Sequence, residues 1–111
     1  MKKVEKVWGS ELWIVNNDLY CGKLLYLKKD YRCSYHYHKL KTESFYLLKG
    51  KVKLIINHND IPFRKGDAVD IFPGMVHSFE GIEDSIIIEI STQHFDSDSY
   101  RFDKSRKVKG E

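Results

Sequence analysis

Four side chains in the middle of the sequence have the types and spacing to share one divalent metal ion: His36, His38, Glu43 and His77. In Tyr35-His36-Tyr37-His38 the histidines are two residues apart. On an extended strand they project from one face, about 6.5–7 Å apart along the backbone, so both imidazoles can converge on one ion. Glu43 follows across the polar turn Lys39–Thr42, at the head of Ser44-Phe45-Tyr46-Leu47-Leu48, and shares its face with Phe45 and Leu47. A carboxylate at the lip of an apolar strand face is costly to bury unless it is paired or coordinated. His77 comes after Phe72-Pro73-Gly74-Met75-Val76, a turn able to aim a third imidazole back toward the others. Three imidazoles and a carboxylate form a borderline N/O donor set. It suits a divalent transition metal, zinc first and then Mn, Fe, Co or Ni, rather than Ca or Mg. A five- or six-coordinate ion on four protein ligands keeps a position open for water or substrate, the feature that separates a catalytic site from a closed structural one.

The elements that must position these groups read as strands. Runs rich in Ile, Val, Leu, Tyr and Phe alternate with period 2, and no stretch holds an apolar period of 3.6. Strands are predicted near Glu11–Asn16, Leu19–Lys28, Cys33–His38, Ser44–Leu48, Lys51–Asn57, Ala68–Phe72, Val76–Phe79 and Ser85–Ser91. Turn chemistry separates them: a hairpin loop at Asn57-His58-Asn59-Asp60, a tight reversal at Lys49-Gly50, and Pro73-Gly74, a fixed φ followed by a permissive residue. This is an all-β pattern, and its many short strands favour a sandwich or closed barrel. The stretch 92–111 is polar, with isolated Phe95, Tyr100 and Phe102, and reads as an extended arm or short helix beyond a barrel core at about 11–91.

The 111 residues allow one domain with a modest core. An apolar fraction of 41% and a charged fraction of 32% are ordinary for a globular chain, and no segment is long and apolar enough for a membrane span. No run of signal-peptide length follows the basic start, so a cytoplasmic protein is expected, with Cys21 and Cys33 as free thiols. The net charge of +3 is spread along the chain and forms no stripe to track a phosphate backbone. Nucleic acid is therefore not expected, while an anionic small substrate is compatible. His58 and His94 lie outside the ligand spacing. Trp8 and Trp13 are expected to cover one end of the barrel or a partner barrel. Tyr35 and Tyr37 face away from the ligand side by alternation, as inter-sheet core or as the contact of a homodimer.

The combination His36-x-His38-x4-Glu43-x6-Gly50, followed by Gly66-x6-Pro73-Gly74-x2-His77, resembles the paired motifs of the cupin superfamily. The resemblance implies a double-stranded β-helix, or jelly-roll, barrel with these four residues as metal ligands. The flanks narrow it. Val7-Trp8-Gly9-Ser10-Glu11-Leu12-Trp13 resembles the opening of type II mannose-6-phosphate isomerases and related small cupins. Glu89-Ile90-Ser91-Thr92, followed by Asp96 through Asp103, resembles their tail.

If that activity carries over, the implied reaction is aldose–ketose isomerisation of a sugar or sugar phosphate, assisted by the metal as a Lewis acid. Glu89 is the candidate base if its parity points inward; on the opposite parity it is an outer-face residue of an amphipathic strand. Arg101 matches the tail motif, and its planar fork suits an oxyanion. Lys23 is the second candidate for substrate and catalysis, and a mid-strand lysine fits a solvated outer face equally. Two other classes share the metal set: a non-haem metal dioxygenase of the cupin type, and a module that binds a small sugar or metal without turnover.

Overall fold

Alternation of apolar and polar residues produces short strands, and the computed structural model, which describes residues 1–108, contains these: β1 (Lys2–Lys6), β2 (Gly9–Asn16), β3 (Cys21–Leu27), β4 (Tyr31–Arg32), β5 (His36–Tyr37), β6 (Glu43–Lys49), β7 (Val52–Ile56), β8 (Asn59–Ile61), β9 (Ala68–Ile71), β10 (His77–Gly81), β11 (Ser85–Ser91), β12 (Tyr100–Arg101) and β13 (Arg106–Lys107). The only helical turn among the described residues is a 3-10 turn at Asp96–Asp98. One sheet runs β1-β2-β3-β11-β6-β9. The second runs β12-β5-β10-β4-β13, with β7 and β8 attached to the other edge of β10. All the named strand pairs are antiparallel. The inner faces of the two sheets enclose Trp8, Leu25, Leu47, Leu54, Phe79 and Ile87, the centre of the core. This is the all-β jelly-roll barrel expected from the sequence.

β11 occupies the span expected of it, and most other strands differ from expectation by a residue or two. Three differences are physical. β1 was not foreseen, because Lys2-Lys3-Val4-Glu5-Lys6 has one apolar residue; it joins by backbone pairing to β2, at the sheet edge where charge discourages further pairing. β8 was hidden in the hairpin loop. Asn57 and His58 both take positive φ, 49° and 68°, and close a two-residue turn, so pairing resumes at Asn59. The expected strand Cys33–His38 is broken into β4 and β5. Across the break, the Ser34 and Tyr35 amides donate to Ser105 Oγ and Asp103 Oδ1 of the C-terminal arm instead of to a neighbouring strand.

The arm also corrects the expectation for the tyrosines. Tyr37 stacks on Tyr100 at 5.1 Å and 20°, with Phe102 at 5.7 Å, and Tyr35 lies under the Arg32 guanidinium at 4.5 Å. Tyr37 is thus covered by the chain's own arm, and Tyr35 is flanked by Arg32 and by His58, whose ring is 5.9 Å away. The open apolar face is on the other sheet, where the register lines up Leu12, Leu24, Ile88 and Tyr46 across the outer surface, with Ile90 62% exposed beside them. No helix of the described residues is long and apolar enough to cross a membrane.

Candidate metal centre

His36 on β5 and His77 on β10 are direct register partners, which brings their ring centroids to 4.4 Å with the planes tilted by 53°. His38 lies two residues beyond His36, with its ring 5.2 Å from His36 and 5.8 Å from His77. The turn before His77 is tied to the same strand: the Gly74 amide donates to the His38 carbonyl at 2.8 Å, and Gly74 takes φ +86°, which glycine adopts freely. The three imidazoles thus reach one place from two neighbouring strands, with ring nitrogens within 4.8 Å of one another.

Each ring is oriented by its second nitrogen. Nδ1 of His36 meets the Ser34 carbonyl at 2.8 Å, Nδ1 of His38 the Asp98 carbonyl at 2.9 Å, and Nδ1 of His77 the Met75 carbonyl at 2.8 Å. A carbonyl only accepts, so each Nδ1 carries the proton and each Nε2 lone pair is left to face a common point. Burial, then the neighbouring His77, pushes His36 down to about 3, and burial pushes His38 below its ordinary value, so both rings stay neutral near pH 7.

Glu43 completes the donor set on two sides. Its Oε2 sits 3.1 Å from His77 Nε2 and 3.5 Å from His38 Nε2. Glu43 Oε2 and His77 Nε2 are buried with no hydrogen-bond partner. Two lone pairs facing each other at this distance repel unless a cation lies between them. Donors sharing an ion at ~2.1 Å are separated by about 3.0–3.4 Å, which is this spacing. The residues therefore fit a divalent metal held by His36, His38 and His77, with Glu43 beside the three-histidine group.

The floor of the site is ionic. Glu89 pairs in register with Lys23 on one side and Phe45 on the other, which settles its parity: it points inward and is buried. Lys23 is likewise inward and only 1% exposed, so the outer-face alternative does not hold for either residue. Lys23 Nζ lies 3.5 Å from Glu11 Oε1 and 4.2 Å from the Trp13 ring centroid. Lys41, which sequence reasoning passed over, is the hub. Its ammonium reaches Glu43 Oε1 at 3.0 Å, Glu89 Oε2 at 3.1 Å and His94 Nδ1 at 2.9 Å.

Burial alone would lower Lys41 and raise Glu43. The two carboxylates hold Lys41 above its ordinary value, and the Lys41 charge, 3.0 Å from Oε1, holds Glu43 below its own. Glu89 stays above the usual carboxylate range because burial outweighs Lys41. His94, displaced to about 4 by burial and by Lys41, donates from Nε2 to Asp96 Oδ1 at 3.0 Å.

Asp98 holds the loop that carries both His38 and Lys41. Its carboxylate accepts the Lys39, Leu40 and Lys41 amides at 2.9–3.2 Å, while its carbonyl takes His38 Nδ1–H. No strand pattern marks Lys41, His94 or Asp98, since each lies in a polar connection. Their roles depend on the arm folding back over 53–60 positions of sequence. Glu11 stood inside the Trp-Gly-x-Glu-x-Trp stretch without a role, and alternation from Trp13 would have placed it on the same face. Arg101, exposed on β12, lines the mouth of the cavity, which holds about 100 Å³ of free space above the histidines, Lys41 and Glu89. The four residues singled out for the metal are thus gathered in one place with Glu89 and Lys23, and Arg101 lines the same cavity.

Residues 24–92 match the cupin domain family, more than half of the chain, and the chain belongs to that family. No functionally curated protein shows significant similarity to it. Among solved structures, a protein from Planctomyces limnophilus is similar at 22% identity and TM-score 0.76, covering 90% of this chain and 89% of its own. The Streptomyces protein PAC13, solved with uridine, is similar at 10% identity and TM-score 0.80, covering 93% of this chain and 84% of its own. The capsular polysaccharide assembling protein CapF from Staphylococcus aureus is similar at 22% identity and TM-score 0.77 over 90% of this chain, which matches only 31% of CapF. These likenesses share the barrel.

Proposed function

We propose that this cupin is a metal-dependent aldose–ketose isomerase of a sugar or sugar phosphate, of the mannose-6-phosphate isomerase type. The observation that carries the reading is the pair of orphaned acceptors, Glu43 Oε2 and His77 Nε2, set beside two further tautomer-locked imidazoles and above a buried Glu89. A divalent ion bound there supplies Lewis acidity toward a sugar carbonyl. Glu89, kept above the ordinary carboxylate range by burial, takes the proton from the hydroxyl-bearing carbon next to the carbonyl and returns it to the former carbonyl carbon, while the hydroxyl proton passes to the former carbonyl oxygen. Lys41 and the Ser91 hydroxyl, 3.1 and 3.2 Å from Glu89 Oε2, fix that carboxylate for the transfer. Lys23 balances the charge of the floor, and Arg101 faces the substrate from the rim.

The test is metal content by elemental analysis together with solvent-deuterium incorporation into mannose 6-phosphate or fructose 6-phosphate. Wild type is expected to hold near-stoichiometric metal and to exchange. His77→Ala is expected to lose both, and Glu89→Gln to keep metal while exchange falls by roughly 10²–10⁴-fold. Bound metal with no exchange in any sugar phosphate would overturn the reading. A dioxygenase is the second reading, favoured by one observation: Lys41 claims Glu43 Oε1, and the three histidines group without Glu43. Oxygen consumption by the Fe(II)-loaded protein, absent with zinc, would select it.

The same proposal includes a homodimer through the outer face of the first sheet, where Leu12, Leu24, Ile88 and Ile90 form an apolar surface of the kind that pairs copies. Ile90→Asp is expected to turn a dimer mass in light scattering into a monomer mass. A monomeric wild type would end that part.

A further inference from the structure

The segment that leads into His36 carries one residue more than the strand it faces. It pairs with β10 at Arg32–Glu80 and again at His36–His77. Between those pairs Cys33, Ser34 and Tyr35 stand opposite Ser78 and Phe79, three residues against two, which makes a β-bulge. The extra residue decides where His36 points. His77 and Phe79 alternate onto the inner face of β10, one in the metal group and one in the core, so Glu80 and its partner Arg32 lie on the other face. Arg32 and His36 are four positions apart and would share a face in a regular strand, with His36 aimed away from the other ligands. The bulge turns it inward.

A bulge leaves backbone groups that no ladder satisfies, and here each of them has a partner. The Cys33 amide donates to the Phe79 carbonyl at 3.1 Å, while the Cys33 carbonyl accepts from Ser78 Oγ at 2.7 Å and from Arg32 Nη1 at 3.1 Å. The Ser34 amide donates to Ser105 Oγ at 3.1 Å, and the Ser34 carbonyl accepts His36 Nδ1–H at 2.8 Å. The Tyr35 amide donates to Asp103 Oδ1 at 2.7 Å, and the Tyr35 carbonyl accepts the Phe102 amide at 2.8 Å. Asp103 serves twice, because its Oδ2 also accepts from Arg32 Nη2 at 2.6 Å. The Arg32 side chain is 4% exposed, and a cation so deeply buried depends on its carboxylate. Asp103 therefore grips the bulge on both sides of Ser34: directly at the Tyr35 amide, and by way of Arg32 at the Cys33 carbonyl.

We propose that Asp103 is a positioning residue of the metal centre. Through the bulge it holds the Ser34 carbonyl against His36 Nδ1, which keeps the proton on that nitrogen and leaves the Nε2 lone pair to the ion. This role rests on the metal centre of the proposed function, and on neither isomerase nor dioxygenase chemistry. His77 supplies the internal contrast. Its Nδ1 meets the Met75 carbonyl in a turn that Asp103 does not touch.

The test reads the ring nitrogens first, by NMR of nitrogen-15-labelled histidine in the metal-free protein at neutral pH. In wild type, His36 and His77 are each expected as a single Nδ1–H tautomer. In Asp103→Ala, His36 is expected to mix with the Nε2–H form while His77 keeps one tautomer. Zinc affinity in competition with a chelator is expected to fall by roughly 10–100-fold in the same variant. Asp103→Asn keeps the size and one acceptor oxygen but loses the charge; it is expected to fall between the two and decides the matter if the alanine variant does not fold. Leu47→Ala, which weakens the core elsewhere, is expected to match wild type in both readouts once circular dichroism shows it folded. A single His36 tautomer in the folded Asp103 variants overturns the role. Equal disturbance of His36 and His77 does so too, since it would mark general loosening, as does zinc affinity equal to that of wild type. That last result leaves the metal centre standing, whereas a wild type that binds no zinc removes the centre and the role together.

Discussion

Three adjacent strands of the first sheet carry two unlike regions on one inner face. Toward one end, β3, β11 and β6 point Leu25, Leu27, Ile87 and Leu47 inward, all nearly inaccessible and packed with Trp8, Leu54 and Phe79. Toward the other end the same strands point Lys23, Glu89 and Glu43 inward, also buried, and Lys41 and His77 close over them. Burial is equal and chemistry is opposite. The apolar end gains stability with each methylene removed from water. The ionic end offsets large desolvation costs with pair interactions, and such clusters contribute little net stability while punishing removal of any single member. The difference teaches that this fold is held at one end so that charged groups can be kept dry and fixed at the other.

That contrast can be broken. The largest effect is expected from Lys41→Met, which leaves Glu43 and Glu89 without their shared cation. Urea unfolding of the metal-free protein should show a loss of about 3–5 kcal/mol, partly restored in Lys41→Met/Glu89→Gln. No loss would mean that the ionic end is not internally compensated. Leu47→Ala, at the apolar end, should cost about 2–5 kcal/mol by cavity formation, with metal stoichiometry of the folded protein unchanged. A fall in stoichiometry would show that the two ends are mechanically coupled.

Asp98→Ala sharpens the boundary between them. Freeing the Lys39–Lys41 amides should loosen His38 and weaken metal affinity by roughly 10–100-fold in competition with a chelator. An unchanged affinity would remove Asp98 from the support of the site.

A further effect is read against pH. His36 and His94 are displaced downward, to about 3 and about 4, by burial and then by His77 and by Lys41 respectively. Their unfolded counterparts take up protons near pH ~6.5, so between there and pH ~4 the unfolded chain binds more protons and stability falls with acidity. The contribution is complete above pH ~6.5 and is lost on descending through these values. Urea midpoints of the metal-free protein should decline across this window, with a shallower slope in His94→Gln. A flat profile would contradict the neutral, buried state of these rings.

The sequence by itself determined the all-β barrel, most of its strands and the three histidines that come together as a possible metal site. Local rules suffice for these. Alternation sets which side chains share a face, positive φ picks out Asn57-His58 and Gly74, and His-x-His spacing gives a common direction. It left Glu89 and Lys23 undecided, because alternation says that a strand has two faces and not which one is covered. The tertiary structure decided this by placing the second sheet over one face. It also decided what no local pattern encodes. Lys41 lies in a polar connection and His94 and Asp98 in a polar arm, segments that look solvated until the arm folds back. Once Asp98 caps the loop amides and His94 meets Lys41, those polar groups are held out of water by partners that lie about fifty residues away or more. The physical reason is that a buried charge is tolerable only with a partner, and partners this distant in sequence are supplied by topology alone.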